Sequence, residues 1–142
     1  MWNKKTKYAL KALAYISQHQ SPERRILSRE ISEKYQIPIK FLEAILLELR
    51  NAGILGSRKG KGGGYYLLRP AAEIPISKII RLTDGPISML SCTSLFFYEP
   101  CADCAKEVNC KIREIALSVR DSTLAILDQK TLADMVTTEE EV

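Results

Sequence analysis

Between Lys4 and His19, apolar residues gather on one side of a helical wheel at Ala9, Leu10, Leu13 and Ile16, while Lys4, Lys7 and Lys11 fall on the other. That period predicts an amphipathic helix with a basic outer face. The stretch SPERR at 21–25 breaks it, and Ser28 stands where it can cap a short helix carrying Ile31 and Tyr35. Pro38, whose fixed φ suits a first helical turn, opens a longer helix to about Ala52. In that helix Leu42, Ile45, Leu46 and Leu49 recur at i, i+3, i+4 and i+7, and Gly53 supplies a C-terminal cap. The stripe faces a core and leaves Ile39, Lys40, Glu43 and Leu47 toward the outside. A short helix, a tight turn and a longer helix with a polar leading end match the helix-turn-helix plan, in which the second helix enters the DNA major groove.

The pattern then changes period. Residues 54–58 and 65–68 read as two short strands joined by Lys59-Gly60-Lys61-Gly62-Gly63-Gly64 and closed by Pro70. A hairpin with such a tip is a wing: its glycines let backbone approach phosphates or a minor groove, and Arg58, Lys59 and Lys61 supply the charge. The same run lacks the spacing of a phosphate-binding P-loop and opens no helix. Beyond it, Pro75 to Thr83 predicts a short helix with Ile79, Ile80 and Leu82 apolar, ended by Asp84-Gly85-Pro86.

From Lys111 to about Lys130 a long helical pattern carries two apolar stripes, Ile112, Ile115, Val119, Thr123 and Ile126 on one side and Leu117, Leu124 and Leu127 on the other. A helix apolar on two sides needs two partners. One is its own domain, and a second subunit across a twofold axis is the expected other. Thr131 is placed to cap a last turn with Leu132 and Met135, and the acidic tail 137–142 is expected to be disordered. The organisation is thus a DNA-binding winged helix-turn-helix at 1–85, a cysteine-containing loop at 86–110, a dimerisation helix and turn at 111–136, and a tail. The fold class is mainly α with one small β-hairpin.

Charge sharpens this picture. The chain carries +4 overall, but residues 1–70 hold 14 Lys and Arg against 5 acids, and residues 71–142 hold 7 against 12. A basic half of +9 joined to an acidic half of −5 implies a polyanion-binding surface on one side, most simply double-stranded DNA. No run approaches membrane-spanning length, and a cytoplasmic protein is expected. The single histidine, His19, has no nucleophile or base patterned around it, which argues against an enzyme.

All four cysteines, Cys92, Cys101, Cys104 and Cys110, fall within nineteen residues, CTSLFFYEPCADCAKEVNC. In a reducing compartment such a group binds metal or senses redox state more often than it forms disulfides. Soft thiolates suit an iron-sulfur cluster. Cys101-x-x-Cys104 is also a zinc half-site, although Cys92 and Cys110 do not form a second one. Cluster-free thiol sensing is a third reading, with Lys106, Lys111 and Arg113 positioned to lower thiol pKa values. In the different class of cluster-carrying electron-transfer or interaction proteins, the basic wing has no purpose. Trp2 and the run Leu95-Phe96-Phe97-Tyr98 read first as core or partner contacts, and second as a shield for a cluster.

The run EISEKYQIPIKFLEAILLELRNAGILGSRKGKGGGYYLLRP, residues 30–70, resembles the winged-helix core of the IscR/NsrR-type (Rrf-two) bacterial transcription regulators. The likeness extends through TKYALKAL, the TDG after the wing, the cysteine loop and the long final helix. It implies a homodimeric regulator, usually a repressor, on a near-palindromic operator. It also implies a crossed pair of C-terminal helices and DNA contacts at Ile39, Lys40, Glu43, Arg58 and Lys59. Glu43 repels phosphate but can accept a hydrogen bond from cytosine N4, which favours selectivity over affinity. Many relatives hold a 2Fe-2S or 4Fe-4S cluster, easily lost in aerobic preparation, through three cysteines matched here by Cys92, Cys104 and Cys110 or by the evenly spaced Cys92, Cys101 and Cys110. Some take a histidine as fourth ligand where this chain has Arg113, and others an acid where it has Lys7. Cys101 is an additional thiol and makes all-cysteine coordination the simplest expectation.

Overall fold

The computed structural model describes residues 2–104 and 106–136. Helix α1 is Lys4–His19, and the Asn3 side chain caps it by accepting the Thr6 N–H at 2.8 Å. Its buried face, Ala9, Leu10, Ala12, Leu13 and Ile16, is the stripe expected from the sequence with Ala12 added. This face forms the spine of the domain, touching α2 (Ser28–Tyr35), α3 (Ile39–Asn51), the second strand of the hairpin, the helix at 76–83 and the closing turn at 132–135.

The turn between α2 and α3 is tight because Gln36 takes a left-handed conformation (φ 54°). Ser32 locks it from both sides: its Oγ donates to the Ile37 carbonyl at 2.6 Å, and its own carbonyl accepts the Ile37 N–H at 3.1 Å. Ser28 does not cap α2. Leu27 occupies that position without a side-chain bond, and Ser28 is the first helical residue. Pro38 is the N-cap of α3 rather than part of its first turn, and Gly53 follows in the left-handed region (φ +78°), where a β-carbon is disfavoured.

Strands β1 (Leu55–Arg58) and β2 (Gly64–Leu67) pair antiparallel, with Leu55 opposite Leu67, Gly56 opposite Tyr66 and Ser57 opposite Tyr65. The first strand starts one residue later than the sequence implied and the second is shifted one residue back, gaining Gly64 and losing Leu68, since Ile54 and Leu68 are joined only through the Leu68 N–H. Ile26 bonds both ways to Tyr65, at 2.9 and 2.7 Å, so the segment before α2 adds a third rung to the hairpin.

Helix α4 is Ile76–Thr83, and α5 is Lys111–Leu127, ending a turn earlier than the apolar pattern suggested. Thr131 caps the closing turn through a reciprocal bond with Asp134. That turn is sewn to the start of α4 by Ile76 N–H to Lys130 O and Leu132 N–H to Ile74 O. The core therefore spans most of the chain: Leu13, Ile31, Leu46, Leu55 and Ile79 share one cluster with Leu127 and Leu132. Leu46 is wholly buried in it. Leu46→Ala should cost about 2–5 kcal/mol of unfolding free energy, read as a lower denaturant midpoint at unchanged slope.

Of the two roles expected for Trp2 and the Leu95–Tyr98 run, the structure rules out the core: these residues lie 46–68% exposed, and Phe96 stacks under the Arg81 guanidinium, 4.5 Å from its ring centroid. The acidic tail lies outside the described residues. No helix among them is long and apolar enough to cross a membrane.

Candidate nucleic-acid interface and sensor loop

The leading face of α3 is open. Ile39, Lys40 and Glu43 are exposed beside Ala44 and Leu47, while Leu42, Ile45, Leu46 and Leu49 bury the opposite side. Phe41, passed over in the sequence reading, is also 40% exposed and leans edge-on against Tyr8 of α1, with ring centroids 5.7 Å apart. The Ser28 hydroxyl lies 3.5 Å from Glu43 Oε1, so the start of α2 sits beside this face.

The start of α2 also meets the wing. Leu27 and residues 23–25 line, with Gly60–Gly63, a groove of about 430 Å³. The helix face and the wing tip thus flank the same short segment. Arg58, Lys59 and Lys61 are exposed, and none pairs with a carboxylate among the described residues. Within the tip, a β-carbon at Gly63 would collide with the Arg58 carbonyl, so the turn cannot hold its shape with a larger residue there. Three unpaired cations on a narrow glycine loop present a positive edge with little side-chain bulk.

The cysteine loop brings three of its four thiols together. The Cys104 thiol hydrogen-bonds with those of Cys110 and Cys101, which pushes its pKa up to about 11. Cys110 is the N-cap of α5: its Sγ accepts the Arg113 N–H at 3.5 Å, and this backbone donor is the main cause that holds its pKa below the usual thiol value. Side-chain charge, from which the sequence predicts this effect, adds a smaller lowering through Arg113, whose guanidinium is turned to Glu107 at 3.9 Å, while Lys111 is engaged with Glu114. Cys92 is buried in the 91–93 turn and is not among the groups acting on Cys104 or Cys110.

Glu107 organises the loop and was missed in the sequence. It accepts the Cys101 N–H at 3.1 Å and the Tyr98 hydroxyl at 2.8 Å. The Cys101 N–H first, then the Tyr98 hydroxyl, draw the pKa of this carboxyl down. Its only sequence signal was an acid inside a cysteine cluster, which alone means little.

Soft sulfur donors fit an iron-sulfur cluster or zinc in kind. Among the described residues, however, no three His, Cys, Asp or Glu side chains stand arranged to hold a metal ion. The hydrogen-bonded thiols would have to lose protons and spread apart to accept one.

Helix α5 confirms one stripe as internal and leaves the other bare. Leu124 and Leu127 are buried, as is Ala116, and Leu117 is half-buried. On the other face Ile112, Ile115 and Ile126 are 62–69% exposed, Val119 is 41% exposed, and Thr123 is half-buried. Arg120 fastens the helix to the cysteine segment by donating to the Thr93 carbonyl at 2.8 Å.

Residues 2–138 match the Rrf2 family model, described as an iron-dependent transcriptional regulator. An Rrf2-like HTH-type transcriptional regulator of Rhodobacter capsulatus is 42% identical over 139 residues, covering 96% of this chain and 92% of that protein. Among solved structures, CymR (YrzC), the global cysteine regulator of B. subtilis, superposes with a TM-score of 0.76 at 27% identity, covering 96% of this chain and 95% of that one. IscR of T. potens gives 0.74 at 26% identity, covering 100% and 91%.

Proposed function

The chain belongs to the Rrf2 family of transcriptional regulators, and from that premise we propose that it is a homodimeric, DNA-binding repressor whose cysteine loop modulates operator binding. The family is one of regulators and not of enzymes. One observation carries the DNA-binding reading: the exposed face of α3 and the unpaired cations of the wing border the same segment at the start of α2. Ile39, Lys40 and Glu43 would read base edges in the major groove, and Arg58, Lys59 and Lys61 would hold the adjacent backbone or minor groove. The working division is DNA binding by residues 1–85, sensing by 86–110 and dimerisation by 111–136 through Ile112, Ile115, Val119, Thr123 and Ile126.

The modulating group we propose is an iron-sulfur cluster held by Cys101, Cys104 and Cys110, with Cys92 as fourth thiolate. Bound there, it would supply one-electron redox chemistry. The protein's own part is to supply the thiolates, lower the Cys110 pKa from the helix end and hold the loop through Glu107. A second reading, cluster-free thiol sensing, is favoured by the interaction of the Cys104 thiol with those of Cys110 and Cys101. Anaerobic purification followed by visible absorption and iron, zinc and sulfide assays decides between them.

For DNA, removing the wing charge with Lys59→Ala should weaken binding about equally on all sequences and reduce the slope of log affinity against log salt by about one. An unchanged slope would remove Lys59 from the interface.

A further inference from the structure

The segment between α1 and α2 carries two adjacent arginines with different fates. Arg24 is engaged: its guanidinium donates to Glu30 Oε2 at 2.6 Å. Arg25 meets no carboxylate among the described residues, and its Nε is buried without a hydrogen-bond partner. Burying a charged group's donor unpaired is costly, so what holds Arg25 in place needs an account.

The wing explains where Arg25 is held. Ile26 forms the third rung beside β2 and is wholly buried, and its partner Tyr65, half-buried, packs against the core. Alternation along a strand then sends Arg25, Leu27 and Tyr66 to the outer face. There the Arg25 guanidinium lies over the Tyr66 ring, 5.4 Å from its centroid. Tyr66 in turn lies across Gly56, its ladder partner: a β-carbon at 56 would come within 2.5–2.7 Å of the ring. Gly56, Tyr66 and Arg25 form a stack in which glycine admits the ring and the ring orients the cation. Neither nearby carboxylate is ion-paired with it: Glu30 is bonded to Arg24, and Glu23, which lines the groove at the wing, is not within salt-bridge distance. Arg25 also lines the groove that opens onto the glycine tip.

We infer that Arg25 is a preorganised phosphate clamp on the outer face of the wing, gripping the DNA backbone beside the contact made by the tip. This rests on the DNA-binding function proposed above. Phosphate neutralisation by one fixed guanidinium releases about one counterion, and ordering the arginine beforehand removes part of the entropy lost on binding. The contact is blind to sequence and sets register.

The test is fluorescence anisotropy of a labelled mixed-sequence duplex of about three helical turns, titrated with full-length protein over a series of salt concentrations. Arg25→Gln should weaken binding roughly three- to tenfold and flatten the salt slope by about one, with an unchanged melting midpoint. Arg25→Lys should restore most of the slope but not all of the affinity, because an ammonium does not stack as a guanidinium does. Lys130→Ala, a charge removed from the exposed link after α5, serves as control and should change neither. If wild type binds with a steep salt slope and Arg25→Gln matches it, the clamp is refuted and DNA binding stands. Loss of affinity with a lowered melting midpoint and an unaltered slope would equally refute it, as a merely structural role. If wild type itself shows no salt-dependent binding, the DNA-binding function fails and the clamp with it.

Discussion

Replacing Ile115 by aspartate should convert the dimer proposed above into a folded monomer that no longer retains operator DNA at concentrations where wild type is saturated. Ile112, Ile115, Val119 and Ile126 leave their side chains largely in water along one side of α5, whose other side supplies Leu124 and Leu127 to the interior. From Ile112 to Ile126 the stripe runs about 21 Å at 1.5 Å per residue, long enough for two helices to cross on it. Each isoleucine that a partner covers is worth about 1.5–3 kcal/mol, and a twofold axis counts every substitution twice. A buried aspartate adds a desolvation cost to that loss. The dimer dissociation constant should therefore rise at least about a hundredfold, which sedimentation equilibrium measures directly. The monomer's own core does not use Ile115, so its melting curve should stay cooperative. Operator binding should suffer more than dimerisation, because two recognition helices about 34 Å apart act as one ligand only while they are joined. A variant that remains dimeric at micromolar concentration would place the interface elsewhere.

What could be read from the chain beforehand divides along a physical line. The helices announce themselves because their periodicity is a local property repeated over many residues: α1 begins and ends at Lys4 and His19 as the pattern implied, and the inward residues of α3 are those of its apolar stripe. The wing was legible from its glycines and lysines because turn chemistry is also local. Contacts that join distant segments were not. Nothing in the spacing of Arg25, Gly56 and Tyr66 says that they stack, since that depends on a third rung formed by Ile26. Nor does the apolar character of Leu95–Tyr98 reveal that the loop leaves these side chains in solvent. Ser28 shows the weakness of capping residues as evidence: it is a preferred type one position from the cap, but the backbone starts the helix on it. For the cysteines, sequence supplied the donors and structure supplied their grouping. Cys101, the extra thiol, joins Cys104 and Cys110, while Cys92 stays in its buried turn.

That grouping makes Cys104→Ser the most informative substitution in the loop. Cys104 is the thiol in contact with two others, so if the loop holds a cluster, its loss removes the central donor and leaves Cys101 and Cys110 without a common neighbour. Serine keeps the size but offers a hard, weakly acidic oxygen in place of a soft thiolate. Anaerobically purified Cys104→Ser should carry less than roughly a tenth of the wild-type iron and sulfide, and lose the visible absorption. The loop itself should survive, because the bonds that shape it run from Tyr98 and the Cys101 N–H to Glu107 and do not involve the Cys104 side chain. Glu107→Gln is the complementary variant. It keeps every thiol and weakens those charge-assisted bonds, so it should reduce cluster retention on exposure to air more than it reduces initial loading. Full iron in Cys104→Ser would mean that the other three cysteines suffice. Iron-free wild type prepared without oxygen would pass the sensing role to the thiols themselves, and Cys104→Ser should then abolish the response of DNA binding to oxidants while leaving the reduced protein's affinity unchanged.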